Sequence, residues 1–401
     1  MPSRVDIHVG LPKTGTTYLQ QTLWLSRDRL ADDGVLVPGE NHQAQRFAFW
    51  DLLGRRLQGV DQPRVPGAWK VLVETVRGWS GHQVVLSDEF LVNARPNHVR
   101  RIVRAFEPAD VHVTVTVRDL ARVIVSTWQQ EVSKGRTWTL PEFVAAVRDP
   151  DRGPATAGVG FWLRHDLQRV LAAWETGVPQ QRVHVVVVPP AGSPPTALVE
   201  RYAAAIGLKS AWLTPAPREA NPSVGAPETE LLRRLNEHLD GRLNERQYLH
   251  MVNRVVKPVL RQRTSTPRIR LPGGQLEWLQ QRTDELVELL GCGRYDVVGD
   301  PADLRPSAGS DAADEPDEPS DTDLAEAALV VLAATVEDYA GYWWRSRRRP
   351  VDSAATPASR VTSAARALGY QAKVRALDAA DDNRVVAKAA QWYLRRSSGR
   401  R

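Results

Sequence analysis

The sequence predicts an α/β fold with three layers, α/β/α, around a central parallel sheet. Short runs of β-branched and apolar residues alternate with helix-like stretches from residue 5 to residue 188. Such alternation favours parallel strands with helices on both faces of the sheet. The length of 401 residues suits one large domain with an appendage, or two ordinary domains.

The four predicted strands are short apolar or alternating runs that stop at a polar residue, a glycine or a proline. Strands of a central parallel sheet are buried on both faces, so they are apolar almost throughout. The predicted strands are 5–9, 84–86, 111–117 and 183–188. Helical spacing predicts helices from Thr17 onward, over 229–239, over 276–290, and from Phe161 through Trp174.

Composition divides the chain. We predict a folded domain over 1–304, a disordered acidic linker over 305–323 and an Ala/Arg-rich helical tail over 324–401. Residues 306–323 hold no large apolar residue, and such a segment cannot bury enough surface to fold. In the tail, 324–344 has the pattern of a helix, which ends in two Trp beside four Arg. One interpretation is that this Trp/Arg segment contacts an anionic membrane or nucleic acid. The other is that it is a solvated helix end, or that it docks on the same protein.

Composition also bounds location and partners. The single cysteine, Cys292, excludes an internal disulfide and a cysteine-based zinc cluster. No apolar run reaches the ~18 residues of a membrane span, and the N-terminus leads directly into a strand, so we expect a soluble cytoplasmic protein without a signal peptide. The net charge of +6 is too diffuse to indicate a nucleic-acid partner. Arg far outnumbers Lys, which fits either an anionic ligand or a GC-rich genome.

The loop Gly10 to Thr17, with sequence GLPKTGTT, has the parts that phosphate binding needs. These are glycines for close backbone approach, inward N–H groups, a helix N-terminus and a lysine. The two glycines keep the spacing of the P-loop pattern G-x-x-x-x-G-K-[ST], but Thr16 stands where that pattern has its lysine. The lysine lies inside the loop instead, at Lys13. The loop therefore predicts phosphate binding and disfavours triphosphate hydrolysis.

The segment Pro-Lys-Thr-Gly-Thr-Thr, residues 12–17, resembles the 5′-phosphosulfate-binding loop of sulfotransferases that use 3′-phosphoadenosine 5′-phosphosulfate. The resemblance implies a P-loop-nucleotide-hydrolase-like fold and this donor as co-substrate, with adenosine 3′,5′-bisphosphate as product and no metal required. It implies that Lys13 contacts the bridging and leaving oxygens. It also implies that the 5′-phosphate is bound by four loop residues: Thr14, Gly15, Thr16 and Thr17.

A second motif of that family binds the donor's 3′-phosphate with an arginine at a strand end and a serine eight residues later. Arg118 and Ser126 hold those positions after the strand that ends at Val117. Eight residues are a little over two helical turns, so Ser126 returns toward the helix face near Arg118. The alternative is a capped surface helix. Some family members add a downstream basic motif, for which the pool here is a stretch that equally suits a solvated surface: Arg261, Arg263, Arg268 and Arg270.

Transfer to an acceptor requires a base at the carboxyl edge of the sheet. Glu89 follows a predicted strand directly and resembles the strand-then-Ser-x-Glu feature of bacterial sulfotransferases, with Asp88 as its substitute. The other interpretation is that one of the two simply caps the next helix. His8 lies inside the first strand and is interpreted as a core histidine.

We therefore predict a sulfotransferase that modifies a hydroxyl, or less favourably an amine, of a small-molecule, carbohydrate or lipid acceptor. Two alternatives stay open at this point. One is a P-loop-type kinase or nucleotide hydrolase with an altered loop. The other is a non-catalytic nucleotide-binding or scaffold protein.

Overall fold

The computed structural model describes residues 1–40, 44–55, 63–154, 156–217, 224–263, 269–271, 274–306 and 319–347. These residues form one sheet of six strands, all parallel, in the order β2-β3-β1-β4-β5-β6. The strands are β1 (Arg4–His8), β2 (Val35–Leu36), β3 (Gln83–Ser87), β4 (Asp110–Val117), β5 (Val183–Val187) and β6 (Asp296–Val298).

Helices flank the sheet. Those before β4 are α1 (Thr16–Leu25), α2 (Arg27–Asp32), α3 (Ala44–Leu52), α4 (Ala68–Gly78) and α5 (Pro96–Phe106). Those between β4 and β6 are α6 (Leu120–Val132), α7 (Leu140–Arg148), α8 (Ala157–His165), α9 (Leu167–Trp174), α10 (Ala197–Ala205), α11 (Ala226–Leu239), α12 (Glu245–Met251), α13 (Lys257–Leu260) and α14 (Leu276–Gly291). The last is α15 (Asp321–Arg347).

Apolar cores lie on both faces of the sheet. Val5 and Ile7 of β1 point into one core with helices α3, α4, α5 and α9. Val85 of β3 points into the other, with α1, α2 and α10. The predicted three-layer α/β/α fold is thus confirmed, and so are the four predicted strands, to within a residue or two at their ends.

The sequence does not predict the edge strands β2 and β6. They have two and three residues, too few for a periodic pattern to stand out. Each becomes a strand because a neighbour offers its free edge: β3 pairs with β2, and β5 pairs with β6.

The prediction of one helix from Phe161 through Trp174 is wrong. Asp166 separates α8 from α9, with an extended backbone and a side chain that accepts a hydrogen bond from Arg169 N at 3.0 Å. This is an N-cap, which begins a new helix. The apolar periodicity continues across the break, but Phe161 packs into a third core that contains no strand residue, whereas Trp174 packs with residues of the sheet.

Two compact units divide the chain, Met1–Thr335 and Val336–Arg401. The first contains the sheet, and its part of α15 buries Leu324 and Ala327. In the second, residues 336–347 are helical, and the helix predicted over 324–344 is confirmed. Most of the predicted linker and tail lies outside the described residues, so the boundary at residue 304 stays a prediction. Among the described helices, none is long and apolar enough to cross a membrane.

Candidate active site

The predicted site residues meet at one edge of the sheet. The loop with Lys13 follows β1, the segment with Glu89 follows β3, and Arg118 follows β4, and these three strands are neighbours. The chain turns from β1 toward β2 on one side, and from β4 toward β5 on the other. Open parallel sheets bind ligands in the crevice where the crossovers diverge in this way. The sheet order therefore brings together candidate site segments that are 102 to 105 residues apart in sequence.

The phosphate loop has a constrained backbone. Gly10 has φ +42°, and a Cβ there would lie 2.8 Å from His8 Nε2, so the position requires glycine. Gly15 has φ +89° and is the N-cap of α1. Lys13 has φ +70°, which is uncommon for a residue with a side chain. Strain of this kind concentrates at functional sites, where the surrounding structure maintains it.

The loop presents unpaired backbone donors. Within the described parts of the chain, no acceptor bonds to the backbone N–H groups of residues 13–17. The last two of these belong to the first turn of α1, where the helix dipole places partial positive charge. Free N–H groups at a helix N-terminus bind phosphate or sulfate oxygens.

The loop hydroxyls differ in their environment. Thr14 is fully buried, and its Oγ1 donates to Leu11 O at 2.5 Å and lies 2.6 Å from Thr116 Oγ1. Thr16 Oγ1 donates to Leu11 O at 3.4 Å. Thr17 is exposed. The Thr14 hydroxyl thus holds the loop on β4, and Thr17 has the loop hydroxyl most open to solvent.

His8, the last residue of β1, packs beneath the loop and links it to the neighbouring strands β3 and β4. Its Nδ1 lies 2.8 Å from Ser87 Oγ and its Nε2 lies 3.2 Å from Thr116 Oγ1. Burial lowers the pKa of His8 to about 3, so the ring is neutral at physiological pH. The prediction of a satisfied core histidine is confirmed. The sequence does not single out Thr116 as a positioning residue, because β4 alternates Val with polar residues and Thr114 occurs in the same pattern.

Arg118 contacts the loop directly. Its Nη1 donates to Lys13 O at 3.2 Å. Its Nε is buried without a hydrogen-bond partner, and the Asp119 Oδ2 atom is 3.8 Å away. Burial, and then the Arg122 charge, lower the pKa of Arg118 to about 10, so the guanidinium stays charged at neutral pH. Arg118 therefore keeps one buried N–H donor that no described residue satisfies with a hydrogen bond.

Ser126 lies on α6, the helix that begins two residues after Arg118. It is half-buried, and no described residue hydrogen-bonds to its hydroxyl. Asp119 caps α6 by accepting from Arg122 N at 2.9 Å and forms an ion pair with the Arg122 side chain. Arg118 thus precedes the N-cap of α6, and Ser126 lies about two helical turns along the same helix.

The arginines of the predicted downstream basic motif differ in their environments. Arg263 Nε donates to the buried Glu228 carboxylate at 2.8 Å, and its Nη2 lies 3.5 Å from Glu326, so this guanidinium is held in ion pairs. Arg261 is half-buried and Arg270 is exposed. Arg268 lies outside the described residues.

Asp88 and Glu89 have different environments. Asp88 caps the short 3-10 helix Glu89–Asn93 by accepting from Phe90 N at 2.8 Å. Burial, and then the Glu89 charge, raise its pKa to about 7, although Arg46 opposes the shift from 3.4 Å. Glu89 is 26% exposed and accepts from Gln20 Nε2 and Arg46 Nη2, each at 3.2 Å. The capping role therefore belongs to Asp88, which leaves Glu89 open to the site.

The sequence does not single out the two residues that hold Glu89. Gln20 comes from α1 and so ties Glu89 to the phosphate-loop helix. A signal existed, because Gln20 lies one helical turn after Thr16 and therefore faces the same side of α1. Arg46 comes from α3, and nothing in its local sequence marks it.

Lys13 has no carboxylate within ion-pair distance among the described residues. Burial lowers its pKa to about 8, and the neighbouring charges of Lys134 and Lys257 add to the shift. Glu89 and Glu131 oppose it. No group of three or more His, Cys, Asp or Glu that could hold a metal occurs within the described ranges.

Two solved structures are similar to this chain. The crystal structure of a sulfotransferase from Alicyclobacillus acidocaldarius matches with a TM-score of 0.35 and 15% identity, over 64% of this chain and 98% of that one. The sulfotransferase domain from the curacin biosynthetic pathway matches with a TM-score of 0.29 and 12% identity, over 52% and 75%. No model of a protein family and no curated protein matches the sequence. Likenesses this distant do not bear on activity, which has to be argued from the site.

Proposed function

We propose that the chain is a sulfotransferase that moves a sulfuryl group from 3′-phosphoadenosine 5′-phosphosulfate to a hydroxyl of a small-molecule, carbohydrate or lipid acceptor. The observation that carries the proposal is the hydrogen bond from Arg118 to the Lys13 carbonyl. It joins the residue suited to a 3′-phosphate to the loop suited to a 5′-phosphosulfate. Ordinary adenine nucleotides lack the 3′-phosphate that would use Arg118 and Ser126.

Lys13 suits the leaving-group side of the reaction. The bond between sulfur and the bridging oxygen of the donor breaks, and negative charge develops on that oxygen, which stays with adenosine 3′,5′-bisphosphate. An ammonium group there stabilises the transition state more than the ground state. The free N–H groups of residues 13–17 hold the adjacent 5′-phosphate.

Glu89 suits the acceptor side. As the acceptor oxygen bonds to sulfur, its proton must leave, and a carboxylate within hydrogen-bond reach accepts it. Glu89 is partly exposed and fixed by Gln20, whereas Asp88 is buried and uses Oδ1 for capping. We therefore assign the base to Glu89, while Asp88 supports the turn that presents it.

A nucleotide-binding comparison tests the proposal. Adenosine 3′,5′-bisphosphate should raise the Tm of the wild type, whereas ATP with magnesium should not. Lys13→Ala and Arg118→Ala should each weaken the bisphosphate effect, and Lys70→Ala, an exposed lysine on α4, should leave it unchanged. Stabilisation by magnesium-ATP that is insensitive to Arg118→Ala would instead establish a kinase or nucleotide hydrolase. Absence of binding by either nucleotide would favour a scaffold protein.

A further inference from the structure

The segment that ends β3 and presents Glu89 is held from two sides. The Asp88 N–H donates to His8 O at 3.1 Å, at the end of β1. The Ser87 N–H donates to Gln45 Oε1 at 2.8 Å, and Gln45 is a buried residue of α3. The backbone beneath Glu89 is therefore fixed by the sheet and by α3. The position of the carboxylate itself depends on the side chains that bond to it.

Each oxygen of the Glu89 carboxylate accepts a hydrogen bond from a different helix. Gln20 Nε2, on α1, donates to Oε2 at 3.2 Å, and Arg46 Nη2, on α3, donates to Oε1 at 3.2 Å. An ionised carboxylate has about four acceptor positions, so these two bonds leave about two of them free. The bonds thus orient Glu89 and leave it able to accept the proton of a hydroxyl.

Gln20 and Arg46 differ in their other contacts. Gln20 Nε2 also donates to Ser87 O at 3.3 Å, so one amide group bonds to both the backbone and the side chain of the segment. Arg46 Nε also donates to Asp88 Oδ2, at 3.4 Å. Gln20 therefore links the proposed base to α1, whereas Arg46 links both acids to α3.

The first turn of α1 is the part of that helix next to the phosphate loop. The backbone N–H groups of Thr16 and Thr17 have no acceptor among the residues that the structure describes. A phosphate bound there supplies the missing acceptors and so stabilises the turn. Gln20 follows Thr16 by one helical turn and lies on the same side of α1. Stabilisation of the first turn therefore extends to the residue that holds Glu89.

We propose that donor binding at the phosphate loop orders the base Glu89 through Gln20. The inference rests on the proposed sulfuryl transfer for the role of Glu89, and it makes Gln20 a positioning residue that acts through that carboxylate. Arg46 holds the carboxylate whether or not the donor is bound, because it comes from α3 and not from the loop helix. A ligand that rigidifies one element, and with it a second element bonded to the first, couples two sites without a large movement.

Hydrogen exchange of the full chain, with and without adenosine 3′,5′-bisphosphate, tests the coupling. In the wild type, the bisphosphate should slow backbone exchange over residues 88–94 about fivefold, because opening of this segment breaks the two bonds to Gln20. Gln20→Met keeps the length of the side chain but has no N–H donor. It should bind the bisphosphate about as tightly as the wild type, without the slower exchange.

The neighbouring glutamine provides the matched control. Glu89 accepts from Gln20, whereas no bond joins it to Gln21, the next residue of α1. Gln21→Met makes the same chemical change on the same helix, so it tests whether the change itself disturbs α1. It should bind the bisphosphate and slow exchange over residues 88–94 as the wild type does.

Turnover provides a second measurement. With labelled donor and an active acceptor, Gln20→Met should lower kcat about tenfold, since a displaced base reacts poorly, while KM for the donor stays near the wild-type value. A general defect of α1 would instead weaken donor binding as well, because the loop adjoins the same helix. Gln21→Met should match the wild type in both constants.

Three results would overturn the inference. The bisphosphate could bind the wild type without slowing exchange over residues 88–94, so that the base is positioned independently of the donor. The slower exchange could persist in Gln20→Met, which would assign the coupling to the backbone contact between His8 and Asp88. Gln20→Met could also keep the wild-type kcat. If the wild type does not bind the bisphosphate at all, the proposed function itself fails, which is a different result.

Discussion

The Arg118 guanidinium donates a hydrogen bond to the Lys13 carbonyl at 3.2 Å, across 105 residues of sequence. The contact exists because β1 and β4 are adjacent parallel strands, so the segments that follow them leave the same edge of the sheet. Lys13 itself has a positive φ of 70°. The Arg118 side chain thereby ties the loop after β1 to the segment after β4.

Replacement of Arg118 should remove selectivity for the 3′-phosphate. We expect Arg118→Ala to weaken adenosine 3′,5′-bisphosphate binding by about 10- to 100-fold, since charge-assisted hydrogen bonds contribute about 1.5–3 kcal/mol. The affinity for adenosine 5′-monophosphate, which lacks the 3′-phosphate, should fall much less. Calorimetry with both nucleotides measures this difference. Equal losses for the two would show that Arg118 acts only on the loop.

Glu89→Gln should abolish transfer while the donor still binds. The amide keeps the size of the side chain but cannot accept a proton, so kcat should fall about 10²- to 10⁴-fold. Labelled donor with an active acceptor measures kcat, and bisphosphate titration measures binding. Glu74→Gln, on the exposed face of α4, serves as the control. Transfer that survives in Glu89→Gln but not in Asp88→Asn would move the base to Asp88.

The dependence of kcat/KM on pH should reflect the ionisation of Lys13. Its pKa is about 8 because of burial, and then because of Lys134 and Lys257. Since the ammonium form stabilises the leaving oxygen, kcat/KM for the donor should fall as pH rises through about 8. Lys257→Ala removes one repelling charge and should shift this limb to higher pH, whereas Lys70→Ala should not. A limb that persists in Lys13→Arg would belong to another group.

Asp88 should make stability depend on pH. Its pKa is raised from 3.8 to about 7, so between these values the folded state holds a proton that the unfolded chain has released. The free energy of unfolding from this group therefore falls as pH rises through that window. Asp88→Asn keeps a capping acceptor and should raise Tm relative to the wild type more at pH 8 than at pH 5. The exposed Asp28→Asn should show no such difference.

Gly10→Ala should lower the free energy of unfolding by more than the positive φ of this position alone explains. The new Cβ would lie 2.8 Å from His8 Nε2, in addition to the strain of φ +42°. Gly241 has φ +67° with open space around a Cβ, so Gly241→Ala measures the conformational part, about 1 kcal/mol. We expect Gly10→Ala to cost about 1–3 kcal/mol more and to weaken bisphosphate binding. Denaturant unfolding measures both variants, and equal costs would contradict the close contact.

The sequence by itself determined the parts whose signal is local. The four buried strands follow from short apolar runs, and the phosphate loop follows from two glycines, a lysine and a helix start within eight residues. Arg118 was predicted from the resemblance to a sulfotransferase motif, in which an arginine at a strand end precedes a serine by eight residues. The edge strands β2 and β6 were not predicted, because two or three residues have no periodicity of their own.

Only the tertiary structure decided which residues meet. Sheet order brought Arg118 to Lys13, and the helix α1 brought Gln20 to Glu89. It also separated the roles of two adjacent acids, because Asp88 faces the interior and Glu89 the site. The effect of the Lys134 and Lys257 charges on the pKa of Lys13 has no signal in the local sequence, because both residues are far from Lys13 along the chain. Electrostatic interactions depend on distance in space, and a linear pattern does not contain that distance.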